Sequence, residues 1–173
     1  MLMQVSRCRA SKYSRSKRII EPSDRLEEYD IMIREAEGKD KEQLSSLYRM
    51  LVPNSKKMNV LEEQIDKIRM DPFNFVLVYE EGGALLGTLT LNICLQAMHG
   101  TRPYGVIENI VVHEDHRSRN IGQSLLQYAE EYCRSLNCHK IMLLSHSKRL
   151  RAHQFFEREG YDGSVSKGFK KYL

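Results

Sequence analysis

The sequence predicts an α/β fold of the mixed α+β kind, with a central sheet of about six or seven strands and about four helices. The first half alternates apolar patterns of helical and strand period. Residues 106–145 then give a strand, a basic polar turn, an amphipathic helix and a continuous apolar run. This order predicts a parallel βαβ crossover after an antiparallel N-terminal part.

The composition is that of a soluble globular protein. The 173 residues are 41% hydrophobic and 29% charged. No apolar run reaches the roughly 18 residues of a membrane-spanning helix, so we expect no membrane partner. The four cysteines follow neither a zinc-site nor a disulfide spacing, and no secretory signal precedes them. We therefore expect a cytoplasmic protein with reduced thiols and no bound metal.

The net charge of +4 comes from one end of the chain. The first 20 residues contain six of the 27 Lys and Arg and none of the 23 Asp and Glu, so the remainder has a formal charge of −2. We expect no nucleic-acid binding by the folded domain. Residues 1–30 are interpreted as a basic, flexible extension and residues 31–173 as a single domain. An organelle transit peptide, or a true start at Met32, are alternatives for the extension.

The predicted order starts with a strand at Ile31–Ala36. Asp40, with Gln43 three residues later, resembles a capping box at the start of a helix, and Pro53 ends that helix. The apolar residues between them recur at helical spacing. The first helix is therefore predicted to present one apolar face to the sheet.

A second helix and a hairpin are predicted next. Asn59 and Glu62 repeat the capping pattern, and this helix ends at Asp71, which precedes a proline. Two β-rich runs, Phe75–Tyr79 and Ala84–Leu95, follow with a Glu-Glu-Gly-Gly link between them. A short glycine-containing link between such runs predicts a hairpin.

The second half contains the predicted crossover. A strand at Tyr104–His113 leads into the helix that begins at Ile121, and Lys140–Ser145 is read as a strand buried on both faces. The last three predicted elements are a helix and two short strands: Leu150–Glu159, Tyr161–Val165 and Phe169–Leu173.

The polar turn of the crossover is the clearest candidate site. At a helix start the first backbone N–H groups have no helical acceptor, and here arginines flank them. Such a turn is suited to binding a diphosphate. It is formed by Arg117, Ser118, Arg119, Asn120, Ile121 and Gly122, with Gln123 following.

Two stretches, IENIVVHEDHRSRNIGQSLL and AHQFFEREGY, resemble the GCN5-related N-acetyltransferase (GNAT) superfamily, and so does the element order from Ile31 to Leu173. The family's turn is Gln or Arg, two residues, Gly, one residue, then Gly or Ala. Here Asn120 replaces the first glycine. Asparagine tolerates a positive φ, so the turn is still expected to form. The distal layout is more similar to the small-molecule branch, near glucosamine-phosphate acetyltransferases.

The resemblance implies acetyl-CoA as co-substrate, with its diphosphate on the backbone of residues 117–123. It also implies that the strand before the turn separates from the next parallel strand, often with a bulge. The pantetheine arm would then pair with the free backbone of Ile110, Val111 and Val112. Phe156 is expected to pack against that arm.

The resemblance also suggests residues for catalysis. Glu108 is the candidate base, because related enzymes often place an acid there; a substrate-orienting or structural acid is the alternative. Relatives use a tyrosine to protonate the leaving thiolate, but Phe156 occupies that position, and Arg149 replaces an asparagine. Three readings remain open: unassisted departure of the thiolate, loss of activity, or another acid, for which the candidates are Ser145, His146 and Tyr161.

The resulting hypothesis is an acetyl-CoA-dependent N-acetyltransferase that acts directly on a primary amine of a small molecule. His99, Arg102 and Tyr104 are candidate acceptor contacts, since an arginine suits a phosphate or carboxylate. The alternatives are a protein N-acetyltransferase and a non-catalytic acyl-CoA-binding module. A homodimer is left open.

Overall fold

The computed structural model describes residues 31–173, so the predicted extension at residues 1–30 lies outside the described part. Five strands form one sheet in the order β1-β2-β3-β4-β5. The pairs are antiparallel except for β4 and β5, which are parallel. The strands are β1 Ile31–Glu35, β2 Asn74–Glu81, β3 Ala84–Cys94, β4 Tyr104–Val112 and β5 Ile141–Leu143. The helices are α1 Lys41–Leu51, α2 Glu62–Met70, α3 Ile121–Ser135 and α4 Leu150–Arg158.

The helices cover the two faces of the sheet unequally. On the α3/α4 face, fourteen buried residues form one cluster, which includes Leu89, Ile107, Leu125 and Phe156. On the α1/α2 face, the buried cluster has eight residues. None of the helices between residues 31 and 173 has the length and apolarity needed to cross a membrane.

The prediction that Asp40 and Gln43 form a capping box at the start of α1 is wrong. The box forms one turn earlier, where Glu37 N–H donates to Asp40 Oδ2 at 2.8 Å. Gln43 instead reaches the next hairpin: its Oε1 accepts from Leu85 N–H at 2.8 Å, and its amide donates to the Gly83 carbonyl. The side chain thus ties α1 to the β2–β3 turn rather than to its own helix.

The second helix also starts later than predicted. Leu61, not Asn59, is its N-terminal flanking residue, and its side chain makes no capping hydrogen bond. The end before Asp71 is confirmed. Only Ile65 of this helix is buried.

The β2–β3 hairpin is confirmed, with a turn shorter than its predicted four-residue link. Glu81 pairs with Ala84, which leaves Gly82 and Gly83 as a two-residue turn with φ of 56° and 81°. Two positive φ angles define a type I′ turn, whose twist matches that of the strands.

The prediction of six or seven strands is too high, because the final two strands are absent. Residues 162–173 are exposed and lack strand pairing, and Asp162 accepts from Ser164 in a local turn. Consequently β5 is a three-residue edge strand in the described sheet. It is not buried on both faces as predicted, since the Met142 side chain is 39% exposed.

Candidate functional site

A gap opens between β4 and β5 partway along the sheet. Their pairing starts at Gly105 with Ile141 and stops at Ile107 with Leu143. Strand β4 continues to Val112, with no further strand beside this edge in the described residues. The free backbone edge therefore includes Ile110, Val111 and Val112, which the resemblance assigns to the pantetheine arm.

A bulge in β4 accompanies the gap. On β3, Thr88 pairs with Val111 but Thr90 pairs with Glu108, so one β3 residue lies opposite both Asn109 and Ile110. Asn109 has a φ of 53°. Bulges bend the strand and increase its twist, which accounts for the divergence of β4 from β5. The bulge that the resemblance implied is present.

The bulge also decides which way Glu108 faces. Glu108 and Val111 are three residues apart, so in a regular strand their side chains would lie on opposite faces. They nevertheless share a face, because they pair with Thr90 and Thr88, which are two residues apart on β3. Val111 is buried in the α1/α2 cluster. Glu108 therefore lies on the α1/α2 face, where it is exposed.

Tyr48 of α1 anchors this part of the sheet. Burial raises the pKa of Tyr48, against the opposing effect of its hydrogen bonds to Thr90 and Thr88. Asn109 adds a long contact from its side-chain amide to Thr90 Oγ1 at 3.5 Å. A polar network thus runs from α1 to the bulge beside Glu108.

The turn before α3 forms with asparagine in the glycine position. Asn120 has a φ of 59° and Ser118 one of 65°. The N–H of Ser124 donates to the Asn120 carbonyl at 2.9 Å, which starts the helical ladder. The N–H groups of residues 121–123 precede it and have no helical acceptor. A left-handed residue followed by helical ones makes a concave anion-binding nest.

The two arginines of the turn are used differently. Arg119 Nη2 donates to both carboxylate oxygens of Glu81, at 2.8 and 2.9 Å, and Nη1 lies 2.8 Å from His116 Nδ1. Arg119 therefore holds the turn against the β2–β3 hairpin. Arg117 is exposed and makes no ion pair within residues 31–173, so its charge is the one available to an anion.

Phe155, rather than Phe156, is the aromatic residue next to the turn. A Cβ on Gly122 would lie 3.2 Å from Phe155 Cζ and 3.6 Å from Val112 Cγ2. Phe156 is buried in the α3/α4 core. Helical spacing places both phenylalanines on the apolar side of α4, so the sequence alone did not identify the residue that reaches Gly122.

Tyr161, the candidate acid, lies on the α3/α4 side. Its ring centroid is 6.3 Å from that of Phe156, and its N–H donates to the Phe156 carbonyl. Burial and the neighbouring Glu130 carboxylate raise the pKa of Tyr161. Its hydroxyl is therefore protonated at neutral pH, and its role as acid stays a prediction. Ser145 follows β5 and is half-buried.

The candidate acceptor contacts lie at the other end of β4. Arg102 donates to the carbonyls of Asn137 and Cys138 after α3, both at 3.4 Å, and the His99 ring lies over His139 at 4.0 Å. Tyr104 is the first residue of β4, about 13 Å along the strand from Glu108. These three residues are brought near one another but not near Glu108, and their acceptor role stays a prediction.

The described residues contain no group of three or more His, Cys, Asp or Glu arranged to hold a metal ion.

Comparisons with known proteins agree with this geometry. The aminoalkylphosphonate N-acetyltransferase of Salmonella typhimurium is 27% identical over 132 residues, 76% of this chain and 85% of that protein. The glucosamine 6-phosphate N-acetyltransferase of Trypanosoma brucei brucei is 31% identical over 86 residues, 50% of this chain and 56% of that protein.

A solved structure of a putative acetyltransferase from Agrobacterium tumefaciens has a TM-score of 0.74 at 29% identity, and covers 82% of this chain and 99% of that one. The model of the Acetyltransferase (GNAT) family matches residues 41–161, well over half of the chain. The match includes the bulged strand, the turn and both helices of the α3/α4 face. The protein therefore belongs to the GNAT family of N-acetyltransferases.

Proposed function

We propose that this enzyme transfers the acetyl group of acetyl-CoA directly to a primary amine of a small molecule. One observation carries the proposal. The free edge of β4 runs from the bulge at Asn109 to Val112, and one short 3-10 turn, Glu114–His116, connects it to the turn at residues 117–123. The groove thus offers backbone hydrogen bonds for an extended chain and, at its end, amide N–H groups for a diphosphate.

The turn and the edge have separate binding roles. The amides of residues 121–123 and the charge of Arg117 bind the diphosphate of acetyl-CoA. The backbone of residues 110–112 pairs with the pantetheine arm, as an added strand would. A backbone N–H near Ile110 donates to the thioester oxygen and stabilises the negative charge that develops there.

Glu108 acts as the base on the acceptor side. The amine must be neutral to attack, so a carboxylate has to accept its proton directly or through water. The nitrogen then bonds to the acetyl carbon, the carbon–sulfur bond breaks, and CoA leaves as a thiolate. A thiol pKa of about 8.5 makes that departure feasible without an acid. Ser145, His146 and Tyr161 remain the candidates for a proton donor.

Small molecules are favoured over proteins as acceptors by the named relatives, both of which act on small amines. A protein N-acetyltransferase is the alternative enzyme. The non-enzymatic alternative is an acyl-CoA-binding module without catalytic activity, which is suggested by the missing hydroxyl at Phe156. A cytoplasmic location stays a prediction, and a homodimer stays open.

Thiol release from acetyl-CoA across a panel of amines tests the activity. We expect Glu108→Gln to lower kcat by about 10²- to 10⁴-fold, the usual effect of losing a general base, with the KM for acetyl-CoA unchanged. Glu131→Gln, the same change on an exposed side chain of α3, is the matched control. Acetyl-CoA binding without release for any amine, and without rescue by Phe156→Tyr, would contradict the enzyme proposal.

The donor site has its own test. In Gly122→Trp the indole must displace Phe155 or Val112 from the start of α3, so we expect acetyl-CoA binding by calorimetry to be lost. Gly163→Trp is the control, because a side chain there enters open space. Unchanged binding by a folded Gly122→Trp variant would show that the diphosphate lies elsewhere.

A further inference from the structure

A hydrogen bond between distant parts of the chain joins the two sides of the groove. The Arg149 guanidinium, just before α4, donates from Nη2 to the main-chain carbonyl of Leu51. Leu51 is the last residue of α1. Arg149 therefore binds the C-terminal end of α1, where carbonyls lack helical donors and the helix dipole attracts a cation. The contact links the β5–α4 segment with the α1/α2 face.

Along the direction of α1, the contact between Arg149 and Leu51 lies near the position of Glu108. Along α1, Gln43 binds Leu85 at the start of β3, and Tyr48 reaches Thr90 farther along that strand. Thr90 is the residue that pairs with Glu108, and Leu51 follows Tyr48 within one helical turn.

From the other side, the β5–α4 segment begins where β5 ends. Leu143, the last residue of β5, pairs with Ile107, the neighbour of Glu108. The two approaches meet in the hydrogen bond between Arg149 and Leu51. The guanidinium is thus held at the end of α1, the helix that covers the face on which Glu108 lies.

Both segments joined by this contact are basic. Residues 49–60 contain three Lys or Arg and no acid, and residues 144–156 contain three Lys or Arg, two His and no acid. Arg49, Lys56, Lys57, Lys148 and Arg151 are all exposed. Basic side chains in these two segments, together with the exposed carboxylate of Glu108, favour a molecule with a cationic and an anionic group.

We propose that the acceptor is a small amine that also carries a phosphate, phosphonate or carboxylate group, and that Arg149 binds this group while the amine lies at Glu108. The guanidinium has five N–H donors, of which the Leu51 carbonyl takes one, and its planar fork matches an oxyanion. Its attachment to α1 holds it in place before the acceptor binds. The inference rests on the proposed acetyl transfer and adds the acceptor's chemical class.

Matched amines test the anion preference. Thiol release is compared for O-phosphoethanolamine against ethanolamine, 2-aminoethylphosphonate against propylamine, and 4-aminobutyrate against butylamine. We expect kcat/KM to be about 10- to 100-fold higher for at least one anionic member, the usual effect of a charge-assisted hydrogen bond. The three pairs distinguish phosphate, phosphonate and carboxylate.

Variants then assign the preference to Arg149. Arg149→Met should raise the KM of the anionic acceptor about 10- to 100-fold and leave its neutral partner and acetyl-CoA unaffected, because the lost bonds are charge-assisted ones. Arg149→Lys should retain part of the preference, since it keeps the charge but loses the fork. Arg158→Met, at the exposed far end of α4, is the control.

The outcomes separate the two proposals. Thiol release without anion preference, or an anion preference that survives Arg149→Met, overturns this inference and leaves the acetyl transfer intact. Equal losses for anionic and neutral amines would mean that Arg149 only supports α1. No thiol release from any amine overturns the transfer itself, and this inference falls with it.

Discussion

The two faces of the sheet are held in different ways. On the α3/α4 face, α3 alone buries five residues in the larger cluster. On the α1/α2 face, α2 buries only Ile65, and a largely apolar pocket of about 160 Å³, open to solvent, lies between α1, α2 and β2. The proposed donor turn is therefore attached to the well-packed side, and the proposed acceptor side is the less densely packed one. This difference suits an enzyme with one fixed co-substrate and an acceptor that varies between relatives.

On the α1/α2 face, polar contacts compensate for the smaller buried core. Arg34 binds Asp40 at 2.6 Å and Glu80 at 2.6 Å, and the Gly38 N–H donates to Asp66 Oδ1 at 2.9 Å. These bonds join β1, β2, α2 and the start of α1. Such contacts orient the helices without filling the space beneath them.

The strongest test of the contrast removes one core side chain from each face. Leu125→Ala in α3 should cost about 3–5 kcal/mol of unfolding free energy, whereas Ile65→Ala in α2 should cost about 2–3, near the lower end for such truncations, since Ile65 borders an open pocket and makes fewer contacts. Leu125 is fully buried, and Ile65 lines the pocket. Urea denaturation measures both. Equal losses would mean that the faces are packed alike.

The next largest effect is expected at Asp40. Burial opposes ionisation, but the Arg34 guanidinium and the Glu37 N–H outweigh it and hold the pKa of Asp40 below its ordinary 3.8. Asp40→Asn should cost about 2–3 kcal/mol at pH 7, because Arg34 is left with only part of its compensation.

The same residue predicts a pH dependence. A carboxylate with a lowered folded-state pKa contributes its full stability above its ordinary value, 3.8, and loses it as the pH falls through the folded-state pKa. Wild type should therefore lose more stability than Asp40→Asn between pH 5 and the acid limit. Equal losses of stability in wild type and Asp40→Asn as the pH falls, measured by urea denaturation, would contradict this assignment.

A smaller effect is expected at the donor turn. Asn120→Gly should leave stability within about 1 kcal/mol of wild type and retain acetyl-CoA binding, because glycine adopts the positive φ freely. Asn120→Val should cost about 1–2 kcal/mol and weaken binding, since a β-branched residue is strained there. Thermal unfolding and calorimetry give the two readouts, and identical results for both variants would show that the left-handed conformation is not needed.

The smallest effect is expected where the turn meets the hairpin. Glu81→Gln removes the charge that pairs with Arg119, and it should cost no more than about 1 kcal/mol, as for other partly exposed ion pairs. Released from Glu81, Arg119 should add positive charge at the turn and strengthen acetyl-CoA binding slightly. Unchanged stability and binding at low and high salt would mean that the pair contributes nothing.

Elements with a strong local signal were predictable. The two glycines require a tight hairpin, the periodicity of α1, α3 and α4 is helical, and Asn120 adopts the left-handed turn. Each depends on residues close together in the chain. The start of α2 and the last two strands were not predictable to the same extent, because their patterns are short and strand formation depends on a neighbouring strand.

The sequence by itself thus determined the local elements, the turn proposed to bind the diphosphate, and the resemblance to acetyltransferases. The tertiary structure alone decided which partners meet: Arg119 with Glu81, Phe155 with Gly122, and Arg149 with the end of α1. It also placed Glu108 on the α1/α2 face, because one extra residue in a bulge reverses the alternation of every side chain beyond it. Such contacts join residues distant in the chain, and strand register and helix packing set them rather than local propensity.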